Sequence, residues 1–368
     1  EGKLEEFEIS YTFGFDPLQQ YLIKFPDGRY QALGIAWDSR LKEEGGQRWF
    51  HLYPDEKVDF ENPLHWTGAF FNWNSRCASC HSTNLEKNYS FAADKYDTSW
   101  SEINVACESC HGPASNHLDW TKKQQADALF KGFELSLDDA GMFTGSGTQT
   151  TAKRSDGKRP RQQIEACAQC HSRRAETKES AVGDAFFDGH QSQFLTEQLY
   201  FSDGQIRDEV FVYDSFKQSK MYGEGVVCSN CHEPHSSKLK IEGNGLCLQC
   251  HSPAEFDTPK HHKHEDNSGA QCVNCHMPER TYMVVDPRRD HSFKIPRPDV
   301  SVTHGTPNAC TQCHTDKTDQ WAADISLKWF DNLTSHPNTA DLFSKGWVGD
   351  MSAAPDLMAL VNDDSQSA

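Results

Sequence analysis

The chain has 368 residues, a formal charge of −18 and 36% hydrophobic residues, too acidic to favour nucleic acid and too polar for one large side-chain core. No run approaches the roughly eighteen consecutive apolar residues that suggest a membrane-spanning helix, so no transmembrane segment is expected. A partner steered by charge is expected to present a basic surface.

The sequence opens at Glu1 with charged residues, without an initiator Met or a signal sequence, as expected of a processed or partial chain. Residues 1–60 form a β-rich N-terminal region. Gln20 to Phe25 and Arg29 to Leu33 are strand-like runs on either side of Pro26-Asp27-Gly28, which predicts a hairpin. A further strand-like stretch, Gln47 to Tyr53, contains His51.

Residues 61–185 carry three Cys-X-X-Cys-His motifs: Cys77, Cys80 and His81; Cys107, Cys110 and His111; Cys167, Cys170 and His171. A long polar insert, Gln124 to Gln163, separates the second from the third. It ends in Lys153, Arg154, Lys158, Arg159 and Arg161, read as a solvated loop or as a docking or propionate-binding patch. Residues 186–315 carry four more motifs: Cys228, Cys231 and His232; Cys247, Cys250 and His251; Cys272, Cys275 and His276; Cys310, Cys313 and His314. From Cys228 to Cys247 is 19 residues and from Cys247 to Cys272 is 25, short enough to force neighbouring sites together. Residues 316–368 read as a helical tail. Trp321, Ile325, Trp329 and Leu333 recur at helical spacing, and Pro355 with Leu357, Leu360 and Val361 begins a second helix, the possible start of a helical repeat.

All 14 cysteines fall in these seven motifs and none is left over. Zinc ribbons, disulfides and thioredoxin-like pairs also use close cysteines, but none requires a histidine directly after the second one. Covalent haem does: two thiols one short turn apart form thioethers to the porphyrin, and the following imidazole reaches the iron. The expectation is seven covalent haem c groups with His81, His111, His171, His232, His251, His276 and His314 as proximal ligands. The fold class that follows is a multihaem cytochrome, mainly α and irregular, with a haem-packed core and a small β-rich N-terminal region. Covalent attachment of this kind belongs outside the bacterial cytoplasmic membrane, so a periplasmic, extracellular or cell-surface location is expected.

Of the 18 histidines, eleven remain for the second axial positions. His51, His65, His117, His190, His235, His262 and His291 are the candidates. His235, behind Cys231-His232-Glu233-Pro234, is aimed at a neighbouring haem, expected to be that of Cys247 and Cys250. His262 is preferred over His261 and His264 within its cluster, while His304 and His336 read as structural or surface residues. Met221 is the thioether alternative, though a core role suits it better. Two histidines per iron imply lower potentials than His/Met ligation.

The run Cys107-Glu108-Ser109-Cys110-His111-Gly112-Pro113-Ala114-Ser115-Asn116-His117 resembles an element of the cytochrome family typified by the tetrahaem electron acceptor of hydroxylamine oxidoreductase. Cys228 to His251 resembles the doubled haem motif. Nearly the whole chain is similar to larger bacterial multihaem cytochromes with one further upstream haem motif and C-terminal repeats of tetratricopeptide or HEAT type. Against that pattern the sequence reads as a shortened relative or a piece of a longer chain, with His51 the first histidine to lack an iron.

The resemblance implies electron transfer, with redox proteins or an extracellular acceptor as partners and with self-association into a homopolymer as a variant. The competing reading is an oxidoreductase acting on a small nitrogen or sulfur compound at one five-coordinate haem. The lysine-ligated Cys-X-X-Cys-Lys site of pentahaem nitrite reductase is absent from these motifs, and no catalytic residue is assigned. A third reading is a haem-bearing scaffold whose tail binds another protein.

Overall fold

The computed structural model describes residues 3–123, 128–145, 149–265, 268–335 and 338–362. The chain divides into two compact units, residues 1–135 with 281–287, and residues 136–280 with 288–368. The first two motifs fall in the first unit and the other five in the second, whereas the sequence groups three motifs before residue 185. No helix among the described residues is long and apolar enough to cross a membrane.

The first unit is built on a five-stranded antiparallel sheet of β1 (Ile9–Phe13), β2 (Leu18–Lys24), β3 (Tyr30–Ala32), β4 (Ile35–Asp38) and β5 (Arg48–His51). One edge of β2 carries β1, with Tyr11 opposite Leu22. The other edge is shared by β3, with Ala32 opposite Leu22, and β4, with Asp38 opposite Leu18. The hairpin predicted across Pro26-Asp27-Gly28 is the β2–β3 turn, closed by the Phe25 N–H donating to the Arg29 carbonyl at 2.8 Å. Gly28 sits at φ +83°, where a Cβ would collide with the Tyr96 carbonyl oxygen, so only glycine fits.

Period-two alternation turns Leu18 and Leu22 inward and leaves Tyr21 half-buried. The buried face packs Leu18, Leu22, Tyr30, Ala36 and Phe50 against Phe71, Trp73 and Val285, and against Ala78 of the first motif. Asn74, fully buried, accepts the Tyr30 N–H at 2.7 Å and donates to the Gly28 carbonyl at 3.2 Å. The sheet thereby fixes the approach to Cys77. The longer helix α1 (Ser115–Lys123) follows the second motif.

In the second unit, α2 (Gln162–His171) carries the third motif at its C-terminal end. Ile164 and Ala168, four residues apart on one face, pack with Phe186, Tyr213 and Val227. Helix α3 (Pro298–His304) ends in Gly305 at φ +66° and lies against α4 (Asp319–Trp329); α5 (Ala340–Trp347) and α6 (Ala354–Val361) follow. Pro355 stands in the first turn of α6, as its sequence suggests.

The tail differs from expectation in its packing. The buried stripe of α4 is Ala322, Ala323 and Ser326, while Trp329 is 41% exposed and Leu333 lies past the helix. Small side chains allow α3 and α4 a close approach that a tryptophan face would prevent.

The basic run before the third motif also differs. Arg154 is turned inward, with 5% of its side chain exposed. It donates to the carbonyls of Asp139 (2.8 Å), Ala140 (3.2 Å) and Gly225 (3.0 Å), besides pairing with Asp156 at 2.7 Å. It clamps the insert to the segment before the fourth motif. Arg154→Ala strands these acceptors, and denaturant unfolding is expected to show a loss of about 2–4 kcal/mol. Lys158→Ala, at an exposed position, is expected to leave stability within about 0.5 kcal/mol of the parent.

Candidate functional site

Each motif folds into a single helical turn. The histidine N–H donates back to the carbonyl of the first cysteine: His81 to Cys77 (3.1 Å), His111 to Cys107 (3.0 Å), His251 to Cys247 (3.0 Å) and His314 to Cys310 (2.9 Å). His232 does the same to Cys228. The third motif lies within α2, and the sixth forms the helical turn Cys272–His276. Residues i, i+3 and i+4 of such a turn share one face. Two sulfurs and one imidazole therefore point to the same side, the arrangement a porphyrin with two thioethers and an axial nitrogen requires.

None of the 14 cysteines is in a disulfide. Burial pushes Cys77 up to about 12 and, with nearby thiols, Cys275 to about 11. A hydrogen bond donated to Cys228, together with burial, raises Cys167, and the same bond lowers Cys228. Among the described residues no three or more His, Cys, Asp or Glu side chains are grouped to hold a metal ion directly.

Three histidines from outside the motifs stand opposite motif histidines. His291 faces His232 with ring centres 6.3 Å apart and planes 26° apart; His261 faces His276 at 6.2 Å and 14°; His264 faces His314 at 6.0 Å and 28°. Two imidazoles bound to one metal between them, with bonds of about 2 Å and ring centres about 1.15 Å behind the bonding nitrogens, have centres about 6.3 Å apart. All three pairs fit that span.

The ring protons agree. The Nδ1 atoms of His276, His291 and His264 lie 2.9, 3.0 and 2.5 Å from the carbonyls of Lys294, Arg289 and His262. Donation there holds the proton on Nδ1 and leaves the Nε2 lone pair for a metal, as metal-bound histidines commonly arrange. Burial is the main cause that holds His232, His276, His261 and His291 below the usual imidazole range, so the neutral, ligating form dominates. His81, His171 and His251 are lowered by burial as well, His171 also by Arg288.

The remaining candidates divide by the same criterion. His117, on α1, lies 2.8 Å by Nδ1 from the Lys131 carbonyl and stacks on Phe133, which also lies 5.1 Å from His111. His190 is buried against Phe186, with Nδ1 3.3 Å from its carbonyl, and His235 is exposed with Nδ1 3.2 Å from Glu233. In these three the contact is made by Nδ1. His51 and His262 instead accept backbone N–H groups at Nδ1, from Tyr53 (3.0 Å) and His264 (3.3 Å), which puts the neutral ring's proton on Nε2, while His65 Nδ1 lies 2.8 Å from Thr67 Oγ1. His304 contacts Ser344 at 3.4 Å, Met221 is half-buried in a helical turn, and His336 lies outside the described residues.

Within the 261–264 cluster the outer histidines, not His262, stand opposite motif histidines. The cause is local: the helical turn Pro259–His262 ends in Lys263 at φ +60°, which reverses the chain and sends His261 and His264 to different sites. A lysine in this conformation carries no sequence signal of the kind a glycine would give.

Residues 60–198 match the NapC/NirT cytochrome c family, N-terminal region, and residues 221–256 match the doubled CXXCH motif. The fold is similar to that in the crystal structure of the outer cell wall cytochrome OcwA, with a TM-score of 0.58 and 17% identity, over 95% of this chain and 78% of that one. No curated protein sequence matches.

Proposed function

We propose that this chain, a multihaem c-type cytochrome, binds seven covalent haems and conducts electrons along them, with most irons held between two histidines. The three imidazole pairs at 6.0–6.3 Å carry the reading. Bound haem supplies a one-electron couple. The cysteines fix the porphyrin edge. His232, His276 and His314 would hold an iron together with His291, His261 and His264, which face them. His117, His190 and His235, each held through Nδ1, are the proposed distal ligands at further sites, and His51 and His65 stay candidates.

Two neutral imidazoles stabilise ferric iron better than a thioether does, so low potentials and respiratory or extracellular electron traffic follow. The acidic composition supports a basic redox partner or an extracellular acceptor. A periplasmic, extracellular or cell-surface location follows from the attachment chemistry. The narrower likeness to the acceptor of hydroxylamine oxidoreductase rests on Cys107 to His117, and self-association into a filament rests on the spare histidines.

Low-temperature electron paramagnetic resonance tests the conductor reading. A wholly low-spin ferric spectrum is expected, rhombic for the three pairs because near-parallel imidazole planes split the iron orbitals unequally. A high-spin signal worth about one iron in seven would instead support an oxidoreductase with one open haem face.

A further inference from the structure

We infer that the five motif sites of the second unit stand in space in the order of the chain, third to seventh, and that the seventh is the end at which this unit exchanges electrons with an outside partner. This rests on the conductor reading above.

The third and fourth motifs share one core, with Ile164 and Ala168 of α2 packed with Val227 and Cys228. The Ser229 N–H, inside the fourth motif, donates to Gln163 Oε1 at 2.9 Å. Between the fourth and fifth, a hairpin pairs His232–Glu233 with Lys238–Leu239 and returns the chain beside Cys231, whose carbonyl accepts the Lys240 N–H at 2.9 Å. Cys247 follows seven residues after Lys240.

The fifth and sixth are joined through Asn244, which accepts the Cys272 N–H and donates to the Ala270 carbonyl, both at 2.9 Å. The turn Cys272–His276 packs on the turn Ala309–Cys313. The tetrapeptide His261–His264 spans these last two sites, one end at His276 and the other at His314.

Every one of these contacts joins consecutive motifs. Of the second unit's attachment cysteines, all of them described, Cys313 alone is exposed, which marks the seventh site as the accessible end. Each transfer moves one electron: the giving site is oxidised by one, the next is reduced by one, and no bond forms or breaks. A one-electron donor and a one-electron acceptor outside the chain close the balance.

The test anchors the full haem-loaded protein to a gold electrode, which serves as donor and acceptor, through a single introduced thiol. Asp316→Cys places the anchor two residues past His314, and Lys178→Cys places it seven residues past His171; both positions are exposed. Into each goes His264→Met, which raises the seventh site's potential and makes the hop away from it uphill, its equilibrium constant falling tenfold for every ~59 mV in a one-electron couple. The remaining sites are expected to fill at least tenfold more slowly in the Asp316→Cys film and at an unchanged rate in the Lys178→Cys film. Equal rates, equal slowing in both films, or slowing confined to the Lys178→Cys film overturn the order while leaving the conductor reading intact. A low-spin spectrum that His264→Met leaves untouched removes His264 as a ligand, and with it both the bridge to the seventh site and that part of the axial assignment.

Discussion

His264→Ala is expected to turn about one iron in seven high-spin, and His261→Ala to do the same at a different site. The reason is positional. His264 stands 6.0 Å from His314 with its Nδ1 tied to the His262 carbonyl, and His261 stands 6.2 Å from His276. Alanine at either position leaves the proximal imidazole of one motif without an opposing nitrogen, so the iron drops to five ligands and opens a face. The double variant is expected to give twice the high-spin signal, and each reduced single variant to bind carbon monoxide at one site. His262→Ala separates this account from a general effect of the cluster: its Nδ1 takes the His264 N–H, so the change costs about 0.5–1.5 kcal/mol of stability and leaves the low-spin spectrum unaltered. High-spin iron in His262→Ala, with none in His264→Ala, would reverse the assignment.

The second large effect is expected from Cys228→Ser with Cys231→Ser. The fourth motif borders the cluster of Ile164, Ala168, Phe186, Tyr213 and Val227, which is small for a unit of this length. A porphyrin removing several hundred Å² of apolar surface from water contributes on the order of 10 kcal/mol at about 25 cal/mol per Å². Whole domains are stable by roughly 5–15 kcal/mol, so losing one covalent haem there consumes most of the margin. The double variant is expected to carry one covalent haem fewer and to be digested far faster by protease across residues 136–280. A variant with six covalent haems and parental protease resistance would mean that side chains alone hold this unit together.

The parts of this architecture that sequence reveals are those set by spacing. Two cysteines and a histidine at i, i+3 and i+4 dictate a helical turn with one reactive face whatever surrounds it. Pro26-Asp27-Gly28 dictates a reversal because Gly28 must take a positive φ. Set by tertiary contact, and so silent in the sequence, were the reversal at Lys263 that separates His261 from His264, the inward turn of Arg154 among basic neighbours, and the small-residue face of α4 beneath its tryptophans. The return of residues 281–287 to the first unit, where Val285 completes the sheet's core, is equally invisible to local pattern. Each depends on a partner more than ten residues away or on a backbone angle unusual for its residue type.

The intact mass of the denatured protein tests the central claim most directly, because thioether bonds survive unfolding and axial bonds do not. The account predicts a mass above that of the bare 368-residue polypeptide by seven haems. A mass equal to the polypeptide alone would contradict it.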